Sequence, residues 1–192
     1  SSAASDVYKR QDGKTTVAIT VTSTALTGAL SDLKAAYDAN TAGTLTGLGN
    51  ETITVSDAGT VNAADLIALN GLTTGVITVS SATGVSGSQA DITTIYAANS
   101  AGTITGLGNE AITVTDGGSS TDLTSIDALT TGAVTVTVSD TSQTASSLNS
   151  LDASSTETIN AASVTALSGS SEDIIAAYGS AGITGLGDET IT

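Results

Sequence analysis

The apolar residues of this chain follow two alternating patterns, one with the spacing of a helix and one with the alternation of a strand. Apolar side chains three and four positions apart recur six times, and such spacing places them on one helix face. These stripes are Leu33, Ala36 and Tyr37; Leu66 and Leu69; Ile92, Ile95 and Tyr96; Leu123 and Ile126; Leu148 and Leu151; and Ile174, Ala177 and Tyr178. Each stripe covers two or three turns, which is too short to persist alone in water, so each helix needs a sheet to pack on.

Between these stripes, aliphatic residues alternate with Thr or small residues, which is typical of strands. The alternation predicts strands over residues 52–55, 76–79, 111–114 and 133–138, with shorter ones at 44–46 and 103–105. A glycine follows most of the helical stripes, and we expect it to end each helix. These glycines are Gly43, Gly75, Gly102, Gly132 and Gly182.

The two patterns belong to one unit that recurs about every 28 residues. The segment Gly47-Leu48-Gly49-Asn50-Glu51-Thr52-Ile53-Thr54 is closely matched over residues 106–113 and 185–192. A helix and parallel strands in every unit predict an α/β repeat solenoid of about six coils, each with a short helix and short parallel strands. An all-β solenoid is the alternative fold.

The repeat covers only part of the chain. Residues 1–14 hold three of the four cations, Lys9, Arg10 and Lys14, and they fit none of the units. Residues 1–11 resemble the adapter-derived tails of translated metagenomic reads, so we expect 1–14 to be a non-native or disordered tail. Residues 15–192 are then a single repeat array that stops within a unit.

Composition excludes several classes of function. The chain has a net charge of −15 and contains no His or Cys, which excludes an imidazole base, a thiolate nucleophile, a zinc cluster and disulfides. The negative charge disfavours nucleic acid, and no apolar run of about 18 residues predicts insertion into a membrane. Hydroxyl groups are abundant but no base is positioned to activate one, so we expect no enzymatic activity.

An Asp precedes an aliphatic residue at the start of most helical stripes. Asp32, Asp65, Asp91, Asp122 and Asp173 occupy this position. We interpret these carboxylates as belonging to the first helical turn, where they complement the helix dipole, with Ser31 or Thr121 suited to cap the helix. A column of calcium ligands is the alternative.

The repeated Gly-Leu-Gly corner also has two interpretations. Glycines with positive φ angles suit a sharp turn between two strands. The oxygen-bearing residues that follow are the ligand type that calcium prefers, so a calcium site is the alternative. Its candidate ligands are Asn50, Glu51, Asn109, Glu110, Asp188 and Glu189.

Thr pairs in the short strands predict an outward-facing surface. Thr44 and Thr46 form one pair, and Thr103 and Thr105 form another. Regular Thr rows resemble the surfaces of ice-binding proteins and would also suit a polysaccharide. Thr is equally an ordinary β-branched residue for an exposed pleat.

One longer pattern resembles repeats of very large surface or secreted proteins of marine cyanobacteria. Residues 86–116 carry it most closely, followed by 27–57 and 167–192. The motif is Asp-Ile-x-x-x-Tyr-x-Ala-Asn-x-Ala-Gly-Thr-Ile-Thr-Gly-Leu-Gly-Asn-Glu-Ala-Ile-Thr-Val-Thr-Asp. The resemblance implies an extracellular, adhesin-like spacer or stalk without catalytic residues. We expect its partners to be the neighbouring repeats of the same chain, with self-association through open solenoid ends.

Overall fold

A computed structural model describes residues 11, 13–14, 16–116, 125–126, 128–138, 140–154 and 158–192. Thr121, Asp122 and Leu123, for which a helix start was predicted, and nearly all of the predicted tail lie outside the described residues. The chain forms two compact units, one of residues 1–85 with 93–107 and one of residues 86–92 with 108–192.

The first unit contains seven short strands and two complete helices in its described residues. The strands are β1 (Ile19–Thr20), β2 (Ala25–Gly28), β3 (Leu45–Thr46), β4 (Thr52–Val55), β5 (Thr60–Asn62), β6 (Ile77–Thr78) and β8 (Ile104–Thr105). The helices are α1 (Leu30–Ala42) and α2 (Ala63–Asn70), whereas strand β7 (Gly84–Gly87) and helix α3 (Gln89–Ala101) have residues in both units.

The second unit is built in the same way. Its strands are β9 (Ala111–Val114), β10 (Val134–Thr137), β11 (Ser142–Thr144), β12 (Thr158–Asn160), β13 (Ala166–Ser168), β14 (Ile183–Thr184) and β15 (Thr190–Ile191). Its helices are α4 (Ala145–Ser154) and α5 (Ser171–Gly179). The presence of these helices confirms the α/β class and overturns the all-β alternative.

Parallel pairing places equivalent residues of successive repeats side by side. In the first unit the strand order is β2-β4-β6-β8, and Ile53 pairs with Ile77, which pairs with Ile104. In the second unit Val136 of β10 pairs with Ile159 of β12. All five side chains are buried. Because each repeat adds a strand in the same register, apolar residues at one sequence position form a continuous core within each unit.

The helices bury residues of their predicted stripes. Leu33 and Leu66 are fully buried, and Ile92 and Leu148 are buried at the matching positions of their helices. The stripe of α5 is the exception, because its Tyr178 is 43% exposed. No helix in the described ranges has the length and apolarity needed to cross a membrane.

Helix ends differ in part from the sequence interpretation. Gly43 ends α1 with φ 82°, as predicted, but α2 ends at Asn70 and α5 at Gly179, so Gly75 and Gly182 do not stop these helices. Ser31 lies inside α1 and does not cap it. Each predicted Asp among the described residues does lie in a first helical turn.

The capping groups come from other residues than those predicted. Ser170 caps α5 by accepting from the N–H of Asp173 at 3.1 Å, and its hydroxyl donates to the Asp173 carboxylate at 2.7 Å. The first N–H of α1, at Leu30, donates to the carboxylate of Asp57 at 2.7 Å. That carboxylate lies beyond strand β4, in the following repeat, so one repeat completes the helix of the one before it.

Candidate functional site

The three Gly-Leu-Gly segments form sharp turns, which we call corners: Gly47–Glu51, Gly106–Glu110 and Gly185–Glu189. The first glycine of each corner has a φ of 85° to 93°, which confirms the predicted need for glycine. At Gly47 a side chain would also overlap the carbonyl oxygen of Val21 in the preceding repeat. The turn therefore depends on glycine for its backbone angle and for close contact.

The Glu of each corner is turned into the protein. Glu51 and Glu110 are each 1% exposed, and Glu189 is 9% exposed. The Glu51 carboxylate accepts hydrogen bonds from the hydroxyl of Tyr37 at 2.7 Å and from the backbone N–H of Gly49 at 2.8 Å. A third donor is the N–H of Asn50 at 3.2 Å. A buried carboxylate with three donors fixes the turn from within.

The bond from the backbone N–H of the second glycine to the Glu carboxylate recurs at the other two corners. The Glu110 carboxylate accepts from the N–H of Gly108 at 2.7 Å. The Glu189 carboxylate accepts from the N–H of Gly187 at 3.0 Å and from the hydroxyl of Tyr178. At the first and third corners, a Tyr of the helix thus donates to the Glu of the turn that follows it.

An Asn amide holds the middle of the first two corners. Asn40 accepts from the Leu48 N–H at 3.1 Å and donates to the Leu48 carbonyl oxygen at 3.4 Å. Asn99 makes the same two contacts with Leu107, at 3.2 and 3.4 Å. The third corner has Ala181 at the matching position after its Tyr, so it lacks this pair of bonds.

A Thr-Thr-Gly segment of the next repeat covers each of the first two corners, and we call this contact the seam. Thr73 donates its hydroxyl to the carbonyl oxygen of Glu51 at 3.3 Å, and Thr74 donates its N–H to that of Gly49 at 2.8 Å. Gly75 then passes so close that a side chain would overlap the Glu51 carbonyl oxygen. This close approach is the reason for Gly75, which the sequence interpretation assigned to a helix end.

The second seam repeats these contacts in the other unit. Thr130 donates its hydroxyl to the Glu110 carbonyl oxygen at 2.7 Å, and Thr131 donates its N–H to that of Gly108 at 2.9 Å. A side chain at Gly132 would overlap the Glu110 carbonyl oxygen. The same contact between a corner and the Thr-Thr-Gly segment of the next repeat is therefore made twice.

The surroundings of Glu51 and Tyr37 shift both of their pKa values. Burial alone would raise the pKa of the Glu51 carboxyl, but its hydrogen bonds from Gly49, Tyr37 and Asn50 together hold that pKa below its usual value. Burial raises the pKa of the Tyr37 hydroxyl well above its usual range; Thr73 opposes this rise and Glu51 adds to it. Both groups therefore keep their hydrogen-bonded forms at neutral pH.

The six candidate calcium ligands fall into two groups in the structure. Asn50, Asn109 and Asp188 are exposed, whereas the neighbouring Glu of each corner is buried in the contacts described above. Within the described ranges, no three acidic residues lie together as a metal ion would need. The corner carboxylates act as hydrogen-bond acceptors for the turn.

The four candidate surface Thr residues are divided between two sheets. Thr46 lies in β3, which pairs with β1, whereas Thr105 lies in β8, which pairs with β6. Thr44 and Thr103 are exposed just before these strands. The structure does form a different Thr row, in register across β2, β4, β6 and β8: Thr27, Thr54, Thr78 and Thr105.

The sequence analysis did not identify the Tyr side chains that donate to the Glu of a corner. Tyr37 precedes Glu51 by 14 residues, Tyr96 precedes Glu110 by 14, and Tyr178 precedes Glu189 by 11. This recurring separation of a Tyr and a Glu is the signal in the sequence from which their contact could have been predicted. Comparison of the chain with protein-family models, with curated proteins and with solved structures finds no match.

Proposed function

We propose that this chain is a non-enzymatic structural repeat segment, a spacer or adhesive stalk within a large bacterial surface or secreted protein. In this proposal its repeats are about six coils of one α/β solenoid. Its location outside the cell is the one implied by the resemblance of residues 86–116 to cyanobacterial surface repeats.

The observation that carries the proposal is the seam. The most distinctive repeated groups, the corner Glu and the Thr-Thr-Gly segment, contact each other and are used to join one repeat to the next. Stability in such an arrangement comes from contacts between neighbours, so the length of the array can change without the loss of a unique core. The charge of −15 adds mutual repulsion between separate arrays.

An in-register deletion tests this proposal. Tyr37 and Tyr96 are 59 residues apart and occupy equivalent positions, so removal of residues 38–96 joins Tyr37 to Ala97 with every remaining corner intact. We expect the shortened chain to fold with parallel-sheet circular dichroism. Its largest dimension in small-angle X-ray scattering should fall by about 10 Å, two strand spacings.

A deletion out of register is the matched control. Removal of residues 38–90 takes away a similar length but joins Tyr37 to Asp91, which leaves six extra residues in the fused helix and so misaligns the strands before it with the strands after it. This variant should fail to fold. If both deletions unfold the protein equally, or if the in-register variant keeps the original dimension, the repeat-segment proposal is wrong.

Calcium distinguishes the spacer from the calcium-binding alternative. Because the Glu side chains of the corners are buried and hydrogen bonded, we expect equal thermal midpoints in EDTA and in about 10 mM calcium. Magnesium at the same concentration controls for general screening of the acidic surface. An upward shift that only calcium produces, and that Asp188→Asn removes, would favour the calcium-binding module.

A further inference from the structure

The outward side of the sheet carries rows of Thr in each unit. In the first unit one row crosses four strands in register: Thr27, Thr54, Thr78 and Thr105. A second row lies two positions earlier in three of these repeats, where the exposed residues are Thr52, Val76 and Thr103. In the second unit the two rows are Thr113, Thr135 and Thr158, and Thr137, Asn160 and Thr184. We call each pair of rows a Thr face.

The Thr faces carry no charge, although the chain as a whole is strongly acidic. Among the strands that the structure describes, none contains an Asp, Glu, Lys or Arg. The acidic residues of the described ranges lie in the helices and turns, in a chain with a net charge of −15. Sheets with one face in water commonly place charged side chains there, especially near their edges. The Thr faces therefore suit an uncharged partner.

The spacing of the Thr side chains is close to the spacing of oxygen atoms in ice. Neighbouring strands lie about 4.8 Å apart, and alternate residues of one parallel strand lie about 6.6 Å apart. In ice, hydrogen bonds of about 2.75 Å at tetrahedral angles place second-neighbour oxygens about 4.5 Å apart, with a perpendicular repeat of about 7.3 Å. The two sets of spacings agree to within about a tenth in each direction.

The Thr side chains are also held in place before any partner arrives. Thr has a branched Cβ atom, which restricts its χ1 angle. The hydroxyls of Thr78 and Thr105 hydrogen bond to each other at 3.3 Å, across the two strands that carry them. A surface that is already ordered loses little conformational entropy when it binds a solid.

We infer that the Thr faces bind ice, which is a function beyond that of a spacer. The Thr hydroxyls take the places of lattice oxygens, and the methyl groups of Thr and Val76 are covered by ordered water that joins the lattice. The inference does not rest on the proposed function, because a spacer needs no such surface.

Two other occupants fit the Thr faces less well. A flat polysaccharide is usually held against exposed aromatic rings, but the chain has no Trp or Phe, and Tyr37 and Tyr96 are buried. A second copy of the chain would need to bury about 800 Å² on each partner for a stable dimer. A face four strands wide and two Thr long offers only about 250 Å².

Partition of the protein between ice and liquid tests the inference. Ice that grows slowly in a solution of the chain excludes ordinary solutes and incorporates a protein that binds its surface. The disruptive variant, Thr54→Lys with Thr135→Lys, places one lysine on each Thr face, at outward strand positions that tolerate a charge. The matched control, Ser100→Lys with Ala153→Lys, adds the same two charges at exposed helix positions. Circular dichroism verifies that each variant keeps the fold.

We expect ice to incorporate the native chain and the helix control equally. In the disruptive variant the ratio of protein in ice to protein in liquid should fall at least about tenfold. Thr54→Ser with Thr135→Ser keeps both hydroxyls and removes two methyl groups, so it serves if the lysines prevent folding, and the ratio should then fall at least about twofold. Exclusion of the native chain from ice, or equal incorporation of all variants, would overturn the inference.

Two further results would replace ice with another occupant. One is retention of the native chain by cellulose or chitin but not by ice, with loss of retention in the disruptive variant. The other is a concentration-dependent dimer in analytical ultracentrifugation that the two lysines abolish. The in-register deletion measures the dimensions of the chain without ice, so the proposed function can stand if this inference fails.

Discussion

Gly75→Ala is expected to lower the free energy of unfolding by about 3 kcal/mol, a large effect for a single methyl group. The new Cβ atom would overlap the carbonyl oxygen of Glu51, which belongs to the backbone of the adjoining repeat. Neither backbone segment can move away easily, because Thr73 and Thr74 donate hydrogen bonds to the carbonyl oxygens of Glu51 and Gly49. Relief of the overlap must separate the two repeats and weaken these bonds.

Urea denaturation followed by circular dichroism measures this effect, and Gly59→Ala is its control. A Cβ atom at Gly59 meets nothing within 4 Å, and the backbone there is outside the left-handed region. The control should change stability by less than about 0.5 kcal/mol. Gly132→Ala should reproduce the loss at the second seam. Equal stability of the Gly75 and Gly59 variants would show that the seam is not closely packed.

Glu51→Ala is expected to cost about 3 kcal/mol or more, because three donors lose their shared acceptor in the protein interior. The donors are the Tyr37 hydroxyl and the backbone N–H groups of Gly49 and Asn50. Glu51→Gln keeps an acceptor oxygen and nearly the same shape, so it should lose less. Asp38→Asn, at an exposed position in the middle of α1, controls for the removal of one negative charge.

The dependence of stability on pH tests whether the negative charge of Glu51 contributes to this stabilisation. The pKa of folded Glu51 lies below the ordinary value of 4.5, so its stabilisation is present above pH 4.5 and is lost as the pH falls below it. The stability difference between the native chain and Glu51→Gln should therefore shrink between pH 5 and pH 3. A difference that stays constant over this range would contradict the assigned role of the carboxylate. Because the pKa of Tyr37 is raised, its contribution is present below pH 10 and is lost above it.

The helices and the longer strands could be predicted because burial determines their pattern. Leu33, Ala36 and Tyr37 are spaced for one helix face and are buried together, and the predicted strand over residues 52–55 is strand β4. Strand β7 could not be predicted, since its sequence Gly-Val-Ser-Gly has little intrinsic preference for a sheet. It forms a strand because neighbouring strands offer it hydrogen bonds, and a single sequence does not display these neighbours.

The site was predictable as a location and not as a set of contacts. Repetition of Gly-Leu-Gly-Asn-Glu marked the corner, but it could not say that Glu51 turns inward while Asn50 remains exposed. A carboxylate interpreted in isolation suggests a ligand for a cation. Its role became evident only when Tyr37, 14 residues earlier, was found to donate to it. Gly75 was likewise assigned to a helix end because its contact lies in a different repeat.

The capping of α1 by Asp57 has a consequence for the order in which the repeats are completed during synthesis. The first N–H of the helix, at Leu30, obtains its carboxylate partner from a residue 27 positions further along the chain. Gln89 is capped in the same way by Asp116 at 3.0 Å. A ribosome adds about 5–20 residues per second, so each of these helices waits one to several seconds for its cap during synthesis. Completion of each repeat therefore follows the emergence of the next, from the N-terminus toward the C-terminus.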